Sequence, residues 1–166
     1  MFIDNVTTTD ILQPATREVY ELYLGQRRII RDFFLLLPET QYDFQISPRS
    51  STPRWCLAHI LDFQLVWLEA LRTGQLRFQS MGVDVTASKD VLLKRMDEIE
   101  AALFEIVQAS TFAITDLVTT EWGKQLTKSS AILAIREHDV LHIGWNDAFM
   151  DFIEMPRYDS LRAYWG

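Results

Sequence analysis

The sequence predicts an all-α protein, a four-helix bundle with long connections, and three observations carry that prediction. Apolar residues recur in alternating steps of three and four over four separate stretches. The six glycines and five prolines fall mostly at the edges of those stretches, where they punctuate helices. The length of 166 residues suits a single domain, 1–166, and 48% hydrophobic with 23% charged residues leaves enough apolar surface to offset the entropy of ordering the chain.

The first stretch runs from about Pro14 to Leu37, with Leu12, Ala15, Val19, Leu22, Ile29, Phe33 and Leu37 at its apolar positions. Pro14 suits the first helical turn, and Pro38 ends the helix because a residue preceding proline is driven out of the helical region. The second opens at Thr52-Pro53, a hydroxyl cap followed by proline, and ends near Thr73-Gly74. The third, Ser88 to Gln108, lines up Leu92, Met96, Ile99, Leu103 and Ile106 and turns Lys94, Asp97, Glu98 and Glu105 away. The fourth runs from about Ser130 to Glu154 and stops before Pro156, with Ala131, Ile135, His138, His142, Trp145, Phe149 and Phe152 on one seam. Helices of about 20–25 residues would be about 30–38 Å long, the proportions of a bundle. The connections 38–51, 74–87 and 109–129 exceed the two to eight residues usual between antiparallel neighbours, so at least one crossover is expected. The last of them, with Ile114, Leu117 and Val118, has room for a short strand.

Charge and cysteine content narrow the function. Sixteen Lys plus Arg against 23 Asp plus Glu gives a net charge of -7, which opposes an electrostatic grip on nucleic acid or anionic lipid. No apolar run approaches the roughly 18 residues needed to span a bilayer, and Met1 to Asp10 lacks the basic start and apolar centre of a signal peptide. Cys56 is the sole cysteine, which agrees with a reducing compartment. A cytoplasmic protein with no membrane and no nucleic acid partner is expected.

The chemistry rests on three histidines, His59, His138 and His142. The spacing of His138 and His142 stacks two rings on one helical face, close enough to share a divalent ion. Both occupy the apolar seam between Ile135, Trp145 and Phe149, where an unsatisfied imidazole would cost about 1–3 kcal/mol. His59, flanked by Phe63, Val66 and Ala70 in the second helix, is the only third histidine. Three neutral nitrogens from two facing helices leave a position open for water or substrate, the arrangement of a catalytic metal site. The competing reading is three packed histidines bonded to carbonyls or side chains.

The motifs Leu57-Ala58-His59-Ile60 and His138-Asp139-Val140-Leu141-His142-Ile143-Gly144, with Leu37 to Phe44 between the first two helices, resemble the DinB/YfiT-like superfamily. The resemblance covers the four-helix layout over nearly the whole chain. It implies up-down-down-up connectivity, a divalent metal held by His59, His138 and His142, frequent homodimers, and transferase or isomerase chemistry using a low-molecular-weight thiol. One position departs. Similar sequences commonly carry glutamine three residues after the second histidine of the pair, and here it is Trp145, whose indole would narrow the open position or wall an apolar pocket.

Other residues have readings of their own. Cys56, one turn before His59, is expected as a small packed hydrophobe rather than a fourth ligand. Asp62 and Asn146 are placed to orient ligand rings, though solvated surface positions are the expectation for both. Gln26 is read as a satisfied interior amide, and Gln26, Trp145 and Phe149 are the candidates to line a pocket for a small-molecule ligand. Glu137 and Asp139 flank His138 but point about 100° away from it. Arg27, Arg28 and Arg31 are expected on a solvated face. The second helix is apolar on nearly every side, and its surplus is expected to be covered by a loop, by Tyr158 to Trp165, or by a second copy in a homodimer. Three functions survive: a metal-dependent thiol transferase-like enzyme, a non-catalytic metal-binding stress protein, and a metal-free interaction bundle. Zinc, nickel, iron and manganese are all compatible with three histidines.

Overall fold

A computed structural model describes residues 13–165; the expectations that fall on Met1 to Leu12 and on Gly166 lie outside them. Four long helices form the body: α1 (Pro14–Leu36), α2 (Pro53–Thr73), α3 (Lys89–Gln108) and α4 (Lys128–Phe152), with a shorter α5 (Asp159–Trp165) at the end. The capping chemistry sets the starts. Thr52, Ser88 and Thr127 each accept a hydrogen bond on the side-chain oxygen from the amide three residues on, which relieves one of the helix's orphan donors. Because Thr127 is a cap, α4 begins two residues before the expected Ser130. Gly74 adopts φ 71 at the end of α2, the left-handed turn in which glycine is at ease.

Neighbours around the bundle are α1 and α4, α4 and α2, α2 and α3, and α3 and α1. Side-chain pairings give the directions. Gln26 reaches Arg136 and Phe33 lies against Phe149, so α1 and α4 run parallel. Arg27 faces Glu100 while Arg31 bonds Asp97, so α3 opposes α1. Cys56 meets His142 while Phe63 meets His138, so α2 opposes α4. The order is therefore up, down, down, up, and the one crossover, between the parallel helices α2 and α3, is carried by the long connection that follows Thr73.

A three-stranded sheet caps one end and adds to the expected all-α layout. Strand β1 (Gln75–Leu76) pairs parallel with β2 (Leu117–Thr120), and β2 pairs antiparallel with β3 (Gln125–Thr127). The last connection has room in its sequence for one strand and supplies two. The β1 pairing follows from the turn at Gly74, whose carbonyl accepts the Thr119 amide at 2.9 Å.

The surplus apolar surface of α2 is covered largely within the chain. Leu57, Ala58, Ile60, Leu61, Trp67, Leu68 and Leu71 are all buried. The connection after β1 is drawn onto the helix by Asp62, whose carboxylate accepts from the amides of Met81 and Val83 and from the Ser80 hydroxyl. Asp62 is thus a partly exposed loop anchor. The C-terminal tail covers α1 instead: the Tyr158 hydroxyl donates to the Ile29 carbonyl at 2.7 Å and Ser160 bonds Asp32 at 2.6 Å.

The interior holds a polar tie. Arg27, 1% exposed, donates to Gln64 Oε1 of α2 at 2.7 Å and to the Met96 carbonyl of α3 at 2.8 Å. Gln64 Nε2 donates in turn to both carboxylate oxygens of Asp139 in α4, at 3.0 and 3.1 Å. The expectation of a solvated arginine face fails at Arg27, because its heptad position points to the bundle axis, where these partners accept from its two terminal nitrogens. Arg31 is largely covered and pairs with Asp97, and only the Arg28 side chain is well exposed.

Helix α4 stops at Phe152, short of the expected Glu154. The Met155 amide closes back on the Met150 carbonyl at 2.9 Å, and Glu154 sits between them at φ 56, a left-handed position without the usual glycine. For a residue with a Cβ that conformation costs about 1–2 kcal/mol, partly recovered as lower unfolded-state entropy relative to glycine. Glu154→Gly should therefore stabilise the protein by about 0.5–1 kcal/mol, read as a higher urea midpoint at unchanged m value. A lower midpoint would contradict this account of the helix exit.

Candidate metal centre

The three histidines meet where α2 and α4 cross. His59 Nε2 lies 3.1 Å from His138 Nε2, which lies 3.3 Å from His142 Nε2, and one ligating atom from each residue falls within 4.8 Å of the others. Nitrogens bound tetrahedrally to one ion at about 2.0–2.1 Å would stand about 3.3–3.4 Å apart, so the two short separations already match a shared ion. Three Nε2 atoms so close disfavour protonation of the rings. Burial and the neighbouring imidazoles push the His138 pKa down to about 3, and burial, then His59, pushes His142 down to about 4. Burial also lowers His59, with Asp62 opposing it. All three rings are neutral at pH 7, which is the form that binds a metal.

Packing orients them. His59 stacks on Trp55, centroids 5.0 Å apart and 8° from parallel, and His138 stacks on Phe63 at 3.8 Å and 9°. Trp55 and Phe63 stand one turn before and one turn after His59, a spacing visible in the sequence but not read there as ring support. His138 Nδ1 is buried without a hydrogen-bond partner, so the Phe63 face, rather than an acceptor, sets that ring's direction.

Comparison with known proteins agrees with this fold. A family model described as the DinB superfamily matches residues 22–145. The chain belongs to the DinB superfamily. Two solved structures share the fold. A DinB-like protein from Bacillus subtilis superposes with a TM-score of 0.69 at 15% identity, covering 86% of this chain and 96% of that one. A DinB-like protein from Bacillus cereus gives 0.67 at 16%, covering 85% and 95%. No curated protein matches the chain.

Around the triad of this DinB protein, Cys56 takes a supporting place. Its Sγ lies 3.1 Å from His142 Nδ1, the nitrogen on the far side of the ring from the convergent Nε2 atoms. Burial pushes the thiol up to about 12, so it stays protonated, and its sulfur can accept the His142 Nδ1–H. Asn146 is not solvated as expected: it is 1% exposed, turned inward by its place on the buried face of α4, and neither side-chain polar atom is bonded among the described residues. Asp139 is also fully buried, its pKa pushed up to about 7 chiefly by burial. Gln26 is a satisfied interior amide accepting from Arg136 Nε at 3.1 Å. Phe149 is fully buried against Phe33 and Phe44, and Trp145 lies half-buried and stacked on it at 5.2 Å.

Two outcomes follow. His138→Ala and His142→Ala should each cut metal content several-fold, by elemental analysis of untagged protein, while far-ultraviolet dichroism stays near wild type because apolar burial elsewhere holds the helices. Cys56→Ala should keep one metal per chain and weaken binding by no more than about 10–100-fold, the usual effect of losing an orienting partner. Loss of stoichiometric binding in Cys56→Ala would make the sulfur a ligand.

Proposed function

We propose that this DinB-superfamily protein binds one divalent metal ion through His59, His138 and His142 and transfers a low-molecular-weight thiol to a small apolar electrophile. The observation that carries the reading is the convergence of three neutral Nε2 atoms, at 3.1 and 3.3 Å, from two helices, with no fourth His, Cys, Asp or Glu in the group among the described residues. A divalent ion held there would supply Lewis-acid chemistry at a thiol sulfur, favouring loss of its proton near neutral pH. In the transfer, the sulfur–carbon bond forms as the bond from carbon to the leaving group breaks; the leaving group departs with its electron pair and the thiol proton passes to solvent. No side-chain nucleophile is required, in keeping with the engagement of every histidine in the triad.

The chain's own residues hold and exclude. Trp55 and Phe63 keep the His59 and His138 rings from turning away. Trp145, three residues after His142 and stacked on Phe149, would supply an apolar wall, whereas Gln26 is bonded to Arg136 at the contact of α1 with α4. Trp145 also favours a second reading, in which the indole blocks the open position and the protein holds metal without turnover. A homodimer belongs to the same proposal, on the evidence of exposed Trp55, Phe78, Trp122 and Leu141; Phe78 and Trp122 stack on each other at 5.7 Å. Among the described residues no helix is long and apolar enough to cross a membrane.

The test is an assay of metal-loaded protein with bacillithiol, mycothiol, glutathione and cysteine against aryl halides and epoxides, beside metal-free protein and His142→Ala. A metal-dependent rate above background with any thiol supports transfer. Equal rates in all three preparations would reject it for these substrates and favour the non-catalytic reading. Light scattering at micromolar concentration should give twice 19.4 kDa, and a mass near 19.4 kDa would remove the dimer.

A further inference from the structure

We infer that Gln64 is the positioning residue of the metal centre: held by Arg27 of α1 and bonded to Asp139 of α4, its amide sets the roll of α4 against α2 that brings His138 and His142 to His59. The inference rests on the metal-binding reading. Asp139 directly follows His138 on a rigid helix, so whatever fixes the direction of one fixes the other. A roll of α4 by about 10° would move a side-chain tip some 5–6 Å from the axis by about 1 Å, beyond the roughly 0.5 Å that a metal constellation tolerates. The same roll would break the two contacts from Gln64 Nε2 to Asp139, now 3.0 and 3.1 Å.

The polarity of the pairing leaves one amide orientation. Guanidinium only donates, so Gln64 Oε1 must face Arg27, and its Nε2 is thereby aimed at the carboxylate. The amide cannot flip without setting donor against donor and acceptor against acceptor. Gln64 is itself 1% exposed, and Asp139 is fully buried. A buried polar group of this kind contributes little net stability compared with apolar residues of similar volume, and fixing helix register is its best-attested use. The tie therefore has a purpose that apolar packing at the same positions would not serve: it admits one register of the two histidine-bearing helices.

That difference makes the role separable from stability. In the triple variant Arg27→Met, Gln64→Leu and Asp139→Leu, the thermal midpoint should match or exceed wild type, while Co²⁺ binding, followed by visible absorption, weakens by about 10–100-fold and its tetrahedral ligand-field band is lost or displaced. The exchanged pair Gln64→Glu with Asp139→Asn keeps the volume and an amide–carboxylate bond, and should bind Co²⁺ within about threefold of wild type with the wild-type band. A folded triple variant with wild-type Co²⁺ affinity and spectrum would overturn the inference. Should the triple variant not fold, Asp139→Ala decides in the same way, with weakened binding in support and wild-type binding against. Failure of the wild-type protein itself to bind Co²⁺ would reject the metal reading, and the inference with it, before any variant is compared.

Discussion

A single buried guanidinium ties the four helices together. Arg27 reaches from α1 to α2 and α3 directly and to α4 through Gln64. An arginine in an apolar interior is expensive to desolvate, and here Gln64, the Met96 carbonyl and the Glu100 carboxylate, 3.9 Å from Nε, offset that cost only when the helices approach in this arrangement. Apolar contacts such as those of Phe33, Leu57, Met96 and Phe149 supply the driving force for assembly but tolerate small slides and rolls. The polar tie does not. The histidine cluster lies on the outer side of the α2 and α4 contact while the tie lies on its inner side, so the two are bound to the same helix geometry.

What the cluster can do follows from its surroundings. Half-burial keeps the imidazoles neutral, and the neutral ring is the form that a metal would need. The flat faces of Trp55 and Phe63 hold two of the rings without occupying their nitrogens, and Cys56 occupies the far nitrogen of the third. Each of these supports takes a different chemical form, and none competes with an ion for the three Nε2 atoms.

Much of this was legible in the sequence, and the reasons are local. Proline at the first helical position, the hydroxyl caps Thr52 and Ser88, and Gly74 act within one turn, so helix boundaries could be read to within two residues at most ends. The His138 and His142 pair needs only helical spacing to share a face. Other features depend on distant partners. That Arg27 and not Arg28 turns inward is decided by Gln64 and the Met96 carbonyl, 37 and 69 residues away. The burial of Asn146, the β1 pairing, and the docking of the tail on α1 rather than α2 are likewise settled by tertiary contacts that no local pattern announces. The role of Cys56 lay between these cases: its proximity to the site was plain, but which side of the His142 ring it meets depends on the crossing of α2 with α4.

The proposed centre has three histidine nitrogens, and no sulfur, around one ion. X-ray absorption on untagged, zinc-loaded protein tests that most directly. A first shell of nitrogen and oxygen at about 2.0–2.1 Å with imidazole outer-shell scattering for three rings is the predicted result. A sulfur contribution at about 2.3 Å, or a shell with fewer than two imidazoles, would contradict it.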